Sequence, residues 1–295
     1  MLSTQLAQGD LGPRVVVVGN YKGGSGKSTF AMHLIVALLK AGRRVASFDL
    51  DVQQQTLSRY IQNRHRWAQQ NGLALELPHH TPISDVGGEE AGAADHVSLF
   101  TRYLGTLQDD YDFIVIDTPG NQSDLSLVAH GMADALVTPV NDSFVDLDVI
   151  VNIGATVDAK PTPSRYARAV AAALEGRRAV CGRATDWIVF RNRLATLASR
   201  NHKQITAALE WIAPEVGFRL APGLSERVIF RELFPMGLTA FDQLDERALG
   251  TNGGGTSRVM ARVEVRSLVE EIGLLPPDTL PGEERVPAGR AVPVS

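Results

Sequence analysis

Eight consecutive residues, Lys22-Gly23-Gly24-Ser25-Gly26-Lys27-Ser28-Thr29, carry the densest chemistry in this 295-residue chain. They follow the β-branched run Val15-Val16-Val17-Val18 and open onto an apolar stretch that starts at Phe30. Glycines at 23, 24 and 26 let successive backbone N–H groups curl around phosphate oxygens, because no Cβ blocks the approach. The helix N-terminus behind them adds partial positive charge. In such a loop Lys27 reaches the β- and γ-phosphates, and the Ser28 hydroxyl coordinates Mg²⁺. Strand before and helix after are the context that a phosphate-binding loop requires.

A phosphate loop hydrolyses nothing without carboxylates at the ends of neighbouring strands, where ligands sit in open α/β sheets. Asp117 closes the buried run Phe113-Ile-Val-Ile116 and is the natural Walker B group, holding Mg²⁺ through its water shell. Asp49 and Asp51 end the strand Val45–Phe48; residues two apart point to the same side, so both are candidates to face the site. Asp51 also precedes a helix-like stretch, which leaves helix capping open as its role. A guanine-reading N-K-x-D string would be followed by Asp, whereas Arg191-Asn192-Arg193-Leu194-Ala195 has none. Asn192 pairs a donor with an acceptor and suits adenine, so ATP is favoured over GTP.

The elements that must position these groups alternate. Buried strands are expected at 15–18, 45–48, 113–116, 135–138 and 187–190, and helix-length stretches at 53–70, 97–108, 145–157 and 164–176. Strands without polar alternation are covered on both faces. The fold class is therefore α/β, a doubly wound, mostly parallel sheet with helices on both faces. Residues 79–96 are polar and Gly-rich and read as a surface insertion loop, and 249–256 read as a flexible connector. One domain is expected over 12–275, with a Pro-rich, disordered tail over 276–295.

Composition bounds the partners. Twenty-nine basic residues against 33 acidic give a net charge of −4, which excludes binding to nucleic acid by bulk charge but not by a local patch. One cysteine, Cys181, excludes an intrachain disulfide and an iron–sulfur cluster held by one chain. No apolar run approaches a membrane span, and the first residues lack the basic-then-apolar order of a signal peptide. A cytoplasmic protein is expected.

The loop departs from G-x-x-x-x-G-K-[ST] in carrying Tyr21 where glycine is usual, with a second lysine, Lys22, after it. In this it resembles the deviant Walker A family of ParA- and MinD-like ATPases, whose signature is K-G-G-x-G-K-[ST]. The resemblance implies a nucleotide-dependent homodimer in which Lys22 crosses the interface to the partner's ATP phosphates. An extra cation facing triphosphate is favourable where a second subunit excludes water. It also implies that Asp51 positions the attacking water while Asp49 supports the metal shell. Thr118-Pro119-Gly120 matches switch II, a segment that γ-phosphate contacts order and hydrolysis releases.

Further strings extend the likeness: Asn20, Ala129–Asp134, Thr138–Asp146, Arg191–Thr196 and Arg227–Pro235 look like the MipZ branch of that family, over about 14 to 275. That branch implies a regulator of the bacterial division plane, graded from the cell poles. Its monomer is recruited by a ParB-like centromere-binding protein, and its ATP dimer binds nucleoid DNA without sequence preference and inhibits FtsZ assembly. Between Arg183 and Lys203 five basic residues face one acid, Asp186, a local +4. Leu197, Asn201, Ile205, Leu209 and Ile212 recur at helical spacing, with Arg200 and Lys203 on one side. Arg193, Arg200 and Lys203 are the candidate DNA contacts. Within the class the alternative is a ParA-type partition ATPase. A membrane-bound MinD-like protein would need an amphipathic basic C-terminal helix, which this tail lacks. Outside the class, an ATP-dependent metabolic ligase would use the same loop.

Overall fold

The computed structural model describes residues 12–87, 93–107, 110–152, 160–195, 200–242, 255–276 and 279–280. Seven strands form one sheet in the order β3-β2-β4-β1-β5-β8-β9, every neighbouring pair parallel. They are β1 (Arg14–Val18), β2 (Val45–Asp49), β3 (His79–Pro82), β4 (Phe113–Asp117), β5 (Ala135–Asn141), β8 (Asp186–Asn192) and β9 (Phe218–Ala221). Side-chain alternation divides the apolar strands between two cores. Val16, Val18, Val115 and Phe190 pack with α1 (Lys27–Lys40), α2 (Thr56–Asn71) and α10 (Gly255–Ile272). Val17, Ile114, Ile116 and Trp187 pack with α4 (Ala93–Thr106), α5 (Asp124–Met132), α7 (Arg165–Cys181) and α8 (Arg200–Val216). Burial on both faces is what the unbroken valine run requires. Among the described residues no helix is long and apolar enough to cross a membrane.

Register aligns the chemistry. Val18 lies opposite Asp117, and Asp117 opposite Asp49, so the phosphate loop and two carboxylates leave the sheet at one level. This is the carboxyl edge, where β1 meets strands wound in both directions and ligands bind in open α/β sheets.

Two expected elements differ. Residues 79–82 are not loop but the edge strand β3, followed by the short α3 (Ile83–Gly87); residues 88–92 lie outside the described set. The polar residues of β3 are satisfied by side-chain partners rather than by apolar burial, so apolar patterning misses it. The helix expected over 145–157 is a single turn, α6 (Phe144–Leu147), leading to β6 (Val151–Asn152), which pairs antiparallel with β7 (Thr162–Pro163). Val149-Ile150-Val151 is β-branched and favours extended backbone. Residues 153–159 fall outside the described set.

Ile205, Leu209 and Ile212 are buried as the periodicity requires, while Leu197 lies outside the described residues. The connector is described only from Gly255, where α10 begins. Packing continues past 275: Leu280 is 3% exposed, and its carbonyl accepts from Arg266 at 3.1 Å. Residues 281–295 lie outside the described set.

Candidate nucleotide site

Gly26, at φ 92°, turns the chain into α1, whose N-terminus carries no side-chain cap. Uncapped N–H groups at a helix start are free for an anion. Gly23, Gly24, Lys27, Ser28, Asp51 and Asp117 line one cavity of about 420 Å³, with Thr118 and Gly120 on its rim. The structure thus gathers most of the expected phosphate, metal and switch residues into a single space. Two loop residues face elsewhere: the Ser25 hydroxyl is buried without a hydrogen bond, and Thr29 lines a neighbouring pocket. Pro119 borders an adjacent groove with Leu50 and Val52.

Polar side chains from the sheet edge brace the loop. Asn20 is buried; its amide donates to the Pro139 carbonyl at 2.7 Å, and its oxygen accepts from Lys22 N–H at 2.8 Å. The Asn192 amide donates to the Ser25 carbonyl at 2.8 Å, and its Oδ1 accepts from Arg193 N–H at 2.9 Å. A Cβ on Gly26 would lie 2.2 Å from Asn192 Nδ2, so this approach requires glycine. Asn192 also lines a pocket of about 80 Å³ with Gly26, Phe30, Leu224 and Arg227. One amide hydrogen and one lone pair of Asn192 are committed to the backbone, leaving one of each for a base. Gly120 backs onto the loop so closely that a Cβ there would lie 2.8 Å from Gly23 Cα. Gly120 and the glycine loop are therefore in backbone contact.

The carboxylates divide their work. Asp117 is buried; burial first, then the neighbouring Asp49, pushes its pKa up to about 8, against the opposing pull of Ser28 and Lys27. Its Oδ1 is buried with no hydrogen-bond partner. An orphaned carboxylate oxygen beside a serine hydroxyl fits a divalent cation, and Asp117 and Ser28 are the groups that would hold it. Among the described residues no cluster of three or more His, Cys, Asp or Glu converges. Magnesium is commonly held by one or two protein oxygens plus substrate phosphates. When bound, the ion supplies positive charge at the phosphate oxygens. Burial lowers the Lys27 pKa, with Asp117 and Asp51 opposing, and Lys27 Nζ donates to the Lys22 carbonyl at 3.1 Å.

Asp49, expected to support the metal shell, has both oxygens occupied by protein donors. Its Oδ1 accepts from Asp51 N–H at 3.1 Å, and its Oδ2 accepts from both the backbone N–H and the hydroxyl of Ser58 at 2.9 Å. Oδ2 is turned to the first turn of α2, and Asp49 is not among the residues that line the cavity. Asp51 closes a turn, accepting from Gln53 and Gln54 N–H at 3.1 and 2.8 Å, and still lines the cavity.

Lys22 does not line the cavity in this chain. Its Nζ lies 2.6 Å from Asp146 Oδ1 and donates to the Val145 carbonyl at 2.8 Å. Sequence reasoning assigned no role to Asp146, Ser58, His80 or Asn141, whose amide reaches the Gly24 carbonyl at 3.4 Å. Asp146 closes the segment Thr138–Asp146, five residues beyond Asn141 at the end of β5.

The basic segment separates in space. Arg183 precedes β8 and lies 3.9 Å from Asp134, whereas Arg193 follows β8 at its other end, roughly 20 Å along the strand. Arg191 is buried against Asp142 and Thr206. The +4 is thus not one surface. Arg193 and Lys203 are exposed, and Arg200 begins α8, with its side chain outside the described set.

Comparison with known proteins agrees with this geometry. The family model described as ATPase MipZ matches residues 14–276. The maintenance of carboxysome distribution protein A of Synechococcus elongatus is 25% identical, over 76% of this chain and 90% of its own length. The chromosome-partitioning ATPase Soj of Thermus thermophilus is 30% identical, over 49% of this chain and 61% of its own. Among solved structures, a Cyanothece McdA variant in complex with ATP superposes with a TM-score of 0.61 at 15% identity, covering 90% of this chain and 99% of that one. The septum site-determining protein MinD of Pyrococcus horikoshii, complexed with Mg-ADP, gives 0.53 at 17%, covering 88% and 96%. With its lysine-bearing glycine loop, buried Asp117 and seven-stranded parallel sheet, the chain belongs to the MipZ family, within the ParA/MinD-type ATPases of positioning and partition.

Proposed function

We propose that the chain is an ATP-hydrolysing dimerisation switch that binds DNA without sequence preference as an ATP dimer. In this reading it restrains FtsZ assembly away from midcell, with a ParB-like centromere-binding protein recruiting the monomer near the poles. The observation that carries the switch is the shared cavity of Lys27, Ser28, Asp51, Asp117 and Gly120, in which the last is in contact with the phosphate loop. Charge on the γ-phosphate is met by loop N–H groups and Lys27, and Asp51 orients the attacking water. Loss of that phosphate frees Gly120 from its partner and loosens the switch against Gly23. Lys22, released from Asp146, crosses to the second subunit's nucleotide. Asn192 and the pocket beside Phe30 receive the adenine. Exposed Arg193 and Lys203, with Arg200, form the DNA face, doubled by dimerisation.

Co-sedimentation with non-specific DNA, without nucleotide, with ADP and with a slowly hydrolysed ATP analogue, tests this reading. Retention of dimer with the analogue alone is expected. Equal retention in all three states, or none in any, would overturn it. An ATP-dependent ligase would instead turn over ATP only with a small acceptor present.

A further inference from the structure

We propose that His80 is a positioning residue for ATP hydrolysis, holding the Asp51 turn in place through Ser58 and Asp49. The proposal rests on the reading of Asp51 as the residue that orients the water. Parallel pairing of β2 with β3 sets Ser47 beside His80. The Ser47 hydroxyl lies 2.9 Å from His80 Nδ1, and His80 Nε2 lies 2.9 Å from the Ser58 hydroxyl. Ser58 continues to Asp49 Oδ2 at 2.9 Å, and Asp49 Oδ1 holds Asp51 N–H at 3.1 Å. Ser47, Asp49 and Ser58 are all buried.

The donors run in one direction. A carboxylate only accepts, so the single Ser58 hydroxyl proton is spent on Asp49. Ser58 Oγ must then accept from His80 Nε2–H, which leaves Nδ1 to accept from Ser47. A neutral imidazole here carries its proton on Nε2, and burial, which pulls the His80 pKa down to about 4, favours that neutral form. With every proton committed, the chain has one low-energy arrangement, and it fixes both oxygens of Asp49. Asp49 in turn joins two backbone points, Asp51 N–H and Ser58 N–H, which bracket the turn between β2 and α2. Removing His80 leaves Ser58 free to rotate and Asp49 to swing, and a small misplacement of the water-orienting group is costly to rate. Nucleotide binding depends on the glycine loop on the far side of the cavity and is left intact.

The experiment measures steady-state ATP hydrolysis by the full chain with Mg²⁺. His80→Ala is expected to lower kcat about tenfold with KM for ATP within twofold. His80→Gln, whose amide N–H can stand in for the Nε2–H donor to Ser58, should recover kcat to within about twofold. Ser58→Ala should match His80→Ala, and the double variant should lose no more than either alone. An unchanged kcat in His80→Ala, a loss confined to KM, or multiplicative losses in the double variant would overturn the relay while leaving the ATPase reading standing. Should His80→Ala fail to fold, Ser58→Ala decides: wild-type kcat there overturns the relay. Wild-type protein that releases no phosphate, or Asp51→Ala that hydrolyses at the wild-type rate, overturns the underlying reading and the relay with it.

Discussion

Lys22 Nζ lies 2.6 Å from Asp146 Oδ1 within one chain, on the side of the loop away from Lys27's cavity. Asp146 is itself fixed by α6, where Ser143 caps the turn and donates to its Oδ2 at 2.7 Å. The pairing lowers the Asp146 pKa despite its partial burial. In the proposed switch, Lys22 is thus held on its own protomer until something displaces it.

Asp146→Ala should therefore ease ATP-dependent dimerisation. A partly exposed ion pair contributes about 1 kcal/mol, and two are released per dimer, so the dimer Kd should fall roughly 30-fold. Lys22→Ala should bind nucleotide and remain monomeric. Sedimentation velocity across a concentration series with an ATP analogue checks both; an unchanged dimer in Lys22→Ala removes its role across the interface.

Gly120→Ala tests the contact between switch and loop. Its Cβ would lie 2.8 Å from Gly23 Cα and 2.9 Å from Gly23 N, both backbone atoms with no freedom to rotate away. Turnover should drop at least tenfold, with Tm within a few degrees of wild type because the site is at the surface of the sheet edge. Normal turnover would place the switch elsewhere.

The histidine contribution to stability should fall on acidification below neutral pH, opposed in part by Asp117, whose raised pKa acts in the other direction. His33 and His130 are buried and His80 is half-buried, and desolvation holds each pKa at about 4 against an ordinary 6.5. Between those values the unfolded chain takes up protons that the folded chain refuses, so stability is full above 6.5 and is lost as pH falls toward 4. The loss is about 2 kcal/mol per histidine by pH 5. Urea unfolding at pH 7 and pH 5 measures it, and His130→Phe should flatten the difference by its share.

The fold is legible wherever strands are buried on both faces. Val15–Val18 and Phe113–Ile116 need only their composition to be read. β3 is not, because His80 and Thr81 are held by cross-strand and helix hydroxyls whose positions the local sequence does not contain. In the site, Lys27, Ser28 and Asp117 follow from spacing alone. The role of Asp49 does not, since its two oxygens are claimed by Ser58 and Asp51 only once α2 turns back over β2. The basic segment misleads for a related reason: β8 passes through it and carries Arg183 to the opposite end of the sheet from Arg193.

DNA binding should accordingly depend on one end of that strand. Arg193→Glu with Lys203→Glu should abolish retention of the ATP dimer at physiological salt, whereas Arg183→Glu should leave it unchanged. Each lost phosphate contact lowers the slope of log affinity against log salt by about 1. Salt titrations of the two variants decide between a local face and a diffuse one.

In the proposed switch, nucleotide state sets assembly through Asp51 and the cavity it lines. Sedimentation equilibrium of Asp51→Ala with ATP and Mg²⁺, alongside an assay of released phosphate, tests it most directly. A stable dimer that releases almost no phosphate is the predicted result. A monomer with ATP bound, or a dimer that hydrolyses at the wild-type rate, would contradict it.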